Sequence, residues 1–132
     1  MVIADTNIWI DYFNDPDSTT GDTLRQLIAG RQAALAGVVM TELIRGARNE
    51  RQRAMLKRGF QGVRYVEMTE AAWTKAGSVA RQLDAEGRAI QLADTLLAGL
   101  ALTEDHEVYT RDKHFERIPG LRLYKPEGED DG

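Results

Sequence analysis

VIADTNIWIDYF, residues 2–13, opens the chain with a short apolar strand that turns straight into a helix. Val2–Ala4 is a continuous apolar run. Asp5-Thr6-Asn7 interrupts it, and Ile8, Trp9, Tyr12 and Phe13 then return at helical spacing. A brief apolar run that changes to a 3.6-residue period reads as a buried strand followed by a helix. The alternation continues down the chain. Residues 14–18 are a breaker cluster, Thr19–Ala29 resumes a helical period, and Gly30 ends it. Ala33–Ala36 reads as a second strand and residues 38–47 as a helix. Residues 50–61 form a basic helix with Ala54, Met55, Leu56 and Phe60 as its apolar stripe. Residues 63–67 alternate as a third strand, with Val63, Tyr65 and Glu67 on one face. A helix of about 17 residues runs from Thr69-Glu70 to Gly87. Residues 92–102 are apolar or Gly except for Asp94 and Thr95, the pattern of a helix buried on most sides. Residues 107–110 read as a fourth strand, 111–116 as a turn and short helix, and 121–124 as a last strand. Strands alternating with helices predict an α/β sandwich with a mainly parallel sheet.

One domain is expected over residues 1–126, followed by an acidic tail at 127–132, because 132 residues is near the usual single-domain length. The chain has no cysteine, which excludes a disulfide framework, a thiolate metal site and a cysteine nucleophile. The N-terminus lacks a basic region and carries Asp5 early, so neither a signal peptide nor a membrane anchor is expected; the predicted location is the cytoplasm. The net charge of −4 is unevenly spread: the last six residues alone carry four acids, Glu127, Glu129, Asp130 and Asp131. Residues 45–64 hold seven basic side chains against one acid, Glu50. That basic surface reads either as a solvated helix face or as a phosphate-binding one.

Four acids stand at places where strands end. Asp5 directly follows the first strand, Glu42 comes shortly after the second, Asp112 follows the fourth, and Asp94 sits at the start of the helix that leads into the fourth. Each has an ordinary alternative. Asp5 can cap its helix, Glu42 can be a surface residue, Asp94 can complement a helix dipole, and Asp112 can cap the next turn. Their joint placement points further, because ligands of an open parallel sheet collect beyond the carboxyl ends of its strands. Two carboxylates about 4 Å apart repel by about 4 kcal/mol at an effective dielectric near 20, so such a cluster holds protons or a cation. An all-oxygen, partly open site suits Mg²⁺ or Mn²⁺, and the matching chemistry is metal-assisted hydrolysis of a phosphodiester.

The combination of DTN (5–7), VVMTELIRGA (38–47), QLADTLLAGLA (91–101) and YTRDKHF (109–115), in this order over nearly the whole chain, resembles the PIN-domain ribonucleases, specifically the VapC toxins of toxin–antitoxin pairs. The resemblance implies a PIN-like three-layer sandwich and a Mg²⁺-dependent endoribonuclease, with Mn²⁺ able to substitute. It implies that Asp5 and Asp94 bind the metal most directly, that Glu42 and Asp112 complete the site, and that Asn7 and Thr110 orient those carboxylates. It also implies an RNA substrate such as tRNA, a cognate antitoxin whose tail covers the crevice, and a homodimer. Arg45, Arg48, Arg51 and Lys57 are then candidates for guiding RNA to the acids. His114 reads as a turn residue outside the site. Trp9, Tyr12 and Phe13 read as an apolar surface for a partner. Two other classes fit part of the pattern. A phosphoacceptor receiver module also has an acidic Mg²⁺ pocket, but it needs paired acids after strand one, where Asp5 stands alone. A non-catalytic RNA-binding domain accounts for the basic helix and leaves the acids unexplained.

Overall fold

Four short strands, β1 (Val2–Ala4), β2 (Ala33–Ala36), β3 (Arg64–Val66) and β4 (Glu107–Tyr109), form one parallel sheet in the order β3-β2-β1-β4. A computed structural model describes residues 1–126; the expected tail at 127–132 lies outside the described residues. Six helices flank the sheet: α1 (Thr6–Asn14), α2 (Thr19–Ala29), α3 (Gly37–Gly46), α4 (Glu50–Phe60), α5 (Glu70–Ala85) and α6 (Leu92–Glu104). A 3-10 turn at Lys113–Arg117 follows β4. The predicted parallel α/β sandwich is the observed architecture. Its strand order differs from the 2-1-3-4-5 order of receiver-type folds, which removes that alternative.

The sheet order explains why two strands read as unbroken apolar runs. β1 and β2 are interior strands covered on both faces, and every residue in them is buried. β3 is an edge strand, so it has less to bury: Arg64 and Tyr65 are exposed and Val66 is half-buried. The expected strand at 63–67 is shorter at both ends, and of Val63, Tyr65 and Glu67 only Val63 packs against the core. Tyr65 turns away from the core and lies over the start of α3, its hydroxyl 2.8 Å from where a Cβ on Gly37 would stand. The predicted last strand at 121–124 is also corrected. It pairs with β4 through a single parallel bridge, Val108 with Leu123, between the turn at Gly120 and Pro126.

Of the aromatic group of α1, Trp9 is internal while Tyr12 and Phe13 are half-buried, so the expected partner surface is corrected for Trp9 alone. Trp9 is fully buried, with its ring centroid 5.8 Å from that of Phe13 and 5.6 Å from that of Phe60 on α4. Ile10 is the large apolar side chain that α1 does expose. On the other side of the sheet, α6 packs closely on α5 because Gly99 has no side chain. A Cβ there would stand 2.7–2.8 Å from backbone atoms of Ala72 and Ala76. Thr69 caps α5 by accepting from the Ala72 N–H, and α5 in turn fixes the helix whose first turn carries Asp94.

Candidate active site

All four predicted acids come from chain segments at the carboxyl edge of the sheet. Asp5 continues β1, and its N–H donates to the Tyr109 carbonyl at 2.8 Å, as in the strand pairing before it. Its side chain caps α1, Oδ1 accepting from the Thr6 N–H at 2.8 Å. Asp112 likewise caps the 3-10 turn, accepting from the His114 N–H at 2.9 Å. Capping and facing the crevice are thus compatible roles for one carboxylate. Glu42 comes from the middle of α3, and Asp94 from the first turn of α6.

Hydroxyl groups hold these acids in place. Thr110 donates to Asp5 Oδ2 at 2.8 Å and accepts from the Asp112 N–H at 2.9 Å, so one side chain links two of the acids. Thr6 donates to Glu42 Oε1 at 2.6 Å, tying α1 to α3. The Asn7 side-chain oxygen accepts from the Arg111 N–H at 3.4 Å and so steadies the loop before Asp112 rather than a carboxylate. Arg111 is anchored by Asp11, its Nε 2.9 Å from Oδ2. Arg117 reaches the carbonyls of Arg88 and Ala89, both at 3.4 Å, and fastens the approach to α6 onto the turn after Asp112.

The electrostatics show charge without compensation. Asp5 is 6% exposed, and burial raises its carboxyl above the usual range; the Thr110 and Thr6 hydrogen bonds oppose this, and the charges of Glu42 and Asp112 add to it. Burial first, and then the charges of Asp5, Asp112 and Glu42, push Asp94 up to about 6, with His114 acting the other way. Each acid therefore feels the others. Among the described residues, no Lys or Arg forms an ion pair with Asp5, Glu42, Asp94 or Asp112. A partly buried carboxylate cluster without a paired Lys or Arg fits a divalent ion with oxygen ligands. Asp94, Asp112 and His114 each offer a ligand atom, all within 4.8 Å of one another, so the cluster is a candidate cation site.

Two site residues escaped the sequence reading. Thr6 carries no local signal, because its partner Glu42 lies 36 residues away and only the packing of α1 on α3 brings the two together. His114, expected outside the site, has its Nδ1 3.2 Å from Asp112 Oδ1. A signal for it did exist: an Asp that caps a turn brings residue i+2 back beside its carboxylate. The proposed RNA-guiding residues Arg45, Arg48, Arg51 and Lys57 are all exposed, at the end of α3 and along α4. Arg48 and Glu42 line one groove of about 370 Å³ with Ile10, Phe13, Leu43 and Met55.

Fold and site together define a parallel α/β domain built around a carboxylate cluster at its strand ends. The chain belongs to the PIN domain family, whose model matches residues 2–121. It is 28% identical over 126 residues to Ribonuclease VapC1 of Methanocaldococcus jannaschii, covering 93% of this chain and 86% of that one. It is 28% identical over 123 residues to Ribonuclease VapC19 of Mycobacterium tuberculosis, covering 92% and 98%. Among solved structures, the fold is similar to VapBC2 from Rickettsia felis bound to a promoter DNA fragment. There the TM-score is 0.84 at 23% identity, over 94% of this chain and 98% of that one. No helix among the described residues is long and apolar enough to cross a membrane.

Proposed function

We propose that this protein is a metal-dependent endoribonuclease acting as the toxin of a toxin–antitoxin pair in the cytoplasm, within a single domain of residues 1–126 that the acidic tail at 127–132 follows. The observation that carries the reading is the set of mutually repelling carboxylates at the strand ends, with no described Lys or Arg ion-paired to them. The VapC relatives named as ribonucleases and the VapBC complexes with the same fold support it. Asp5, Glu42, Asp94 and Asp112 hold Mg²⁺, with Mn²⁺ able to substitute. Such an ion offsets charge that develops on the phosphate and makes water a better nucleophile. Thr110 and Thr6 keep Asp5 and Glu42 aimed at the ion, and Asn7 fixes the loop carrying Asp112. Arg45, Arg48, Arg51 and Lys57 contact the phosphates of RNA, tRNA among the candidates. The groove of Ile10, Phe13, Leu43 and Met55 offers an antitoxin segment an apolar seat that ends at Glu42. The exposed Tyr65 and Trp73 offer a second copy of the chain a face for a homodimer.

Expression in a bacterial host tests the toxin role. Wild-type protein should arrest growth, co-expression with its antitoxin should relieve the arrest, and Asp5→Asn should be tolerated. Equal tolerance of wild-type and variant by the host would contradict the reading.

A further inference from the structure

The turn after Asp112 delivers an imidazole to the acid cluster. The Asp112 carboxylate accepts from the His114 N–H at 2.9 Å, which folds residue 114 back, and Nδ1 of the ring comes to rest 3.2 Å from Oδ1 of the same carboxylate. Resting on the metal-site reading above, we propose that His114 is a direct nitrogen ligand of the cation held by Asp94 and Asp112, and that it tilts this centre from Mg²⁺ towards Mn²⁺.

The spacing fits a shared ion. Ligands bound at about 2.1 Å in octahedral geometry lie about 3 Å apart when adjacent and about 4.2 Å apart when opposite. The Nδ1–Oδ1 separation is 3.2 Å, and the three ligand atoms from Asp94, Asp112 and His114 span no more than 4.8 Å, so modest side-chain rotation closes them on one ion. The ring is 51% exposed, and Asp112 is its described ion-pair partner, which leaves it room to make that rotation. Donor chemistry then sets the preference. Mg²⁺ favours oxygen and gives up its waters reluctantly, whereas transition ions accept imidazole more readily. With His114 the centre is an oxygen site with one nitrogen. Mn²⁺ binds it more tightly, while millimolar Mg²⁺ still fills it.

The alternative use of the same contact is a hydrogen bond from the ring to Asp112 that orients the carboxylate without touching the ion. Mn²⁺ titration of the full chain, followed by electron paramagnetic resonance, separates the two. The chain has two histidines, and His106 precedes β4 at the opposite end of the sheet, so an imidazole nitrogen coupled to Mn²⁺ reports His114. Wild-type should show that coupling. His114→Gln should lose it, with Mn²⁺ affinity falling about tenfold and Mg²⁺ affinity, read by competition, changing less than about twofold. Mn²⁺ that binds wild-type without nitrogen coupling, or equally well to His114→Gln, overturns the proposal while the carboxylate centre stands. A wild-type chain that binds neither ion overturns both.

Discussion

The Thr110 hydroxyl donates to Oδ2 of Asp5 across 2.8 Å, joining two neighbouring strand ends that are 105 residues apart in sequence. This bond opposes the effect of burial on Asp5 and keeps one carboxylate oxygen fixed. Thr110→Val removes it while keeping the side-chain shape. The expected result is a fall of about 10- to 100-fold in metal affinity and cleavage rate, with a stability cost of only about 1 kcal/mol. Because the bond holds the Asp5 carboxyl down, its loss should also move the acid limb of the pH–rate profile to higher pH. Thr110→Ser should restore both. Rates and thermal melts of the two variants check it.

Stability of the metal-free protein should depend on pH in an unusual direction. Asp94 is held at about 6 against an ordinary value of 3.8, and Asp5 is also raised, so between about pH 4 and pH 6 the folded protein holds more protons than the unfolded one. Stability in EDTA should therefore fall as pH rises through that window and level off above about 6. Asp94 is partly solvated, so screening reduces its share to about 1–2 kcal/mol. Melting temperatures in EDTA from pH 4 to 8 measure this window. A rise in stability across it would contradict the raised carboxyls.

Asp94→Asn removes one charge from the cluster. In EDTA at neutral pH it should melt higher than wild-type, by about 1–2 kcal/mol. Millimolar Mg²⁺ should stabilise wild-type by mass action and the variant much less. An Asp that merely complemented the dipole of α6 would instead lose up to about 1 kcal/mol on neutralisation and ignore the metal.

The basic face should reveal itself through salt. Contacts to single-stranded RNA release counterions with a slope of about 0.7 per phosphate. Replacing Arg48, Arg51 and Lys57 together with Gln should weaken binding and flatten that slope by about 2. Filter-binding titrations across salt concentrations give the number, and an unchanged slope would make these residues a solvated helix face.

Much of the fold was legible because the buried strands and helices have different periods. Val2–Ala4 and Ala33–Ala36 read correctly as strands because burial on both faces forces an unbroken apolar run. The ends of the sheet were less legible. Tyr65 and Leu123 sit where pairing is one-sided or limited to one bridge, so tertiary contacts decide their placement. Asp5, Asp94 and Asp112 could be found from their positions beside predicted strands and helix starts. Thr6 could not, because its link to Glu42 arises from the packing of α1 on α3, whereas His114 follows from the local geometry of the turn that Asp112 caps. Trp9 shows the reverse error: by sequence it belongs with Tyr12 and Phe13 on one helix, yet it is covered by Phe60 while Phe13 stays half-buried at a groove.

Single-turnover cleavage of a single-stranded RNA tests whether the carboxylates hold the ion that the reaction needs. Wild-type should cleave with millimolar Mg²⁺ or Mn²⁺ and stop when EDTA is added. Losing one metal ligand should remove about 4 kcal/mol of transition-state stabilisation, so Asp94→Asn should be slower by about a thousandfold while still folded. Cleavage that persists in EDTA, or a folded Asp94→Asn that keeps more than about a tenth of the wild-type rate, would contradict the account.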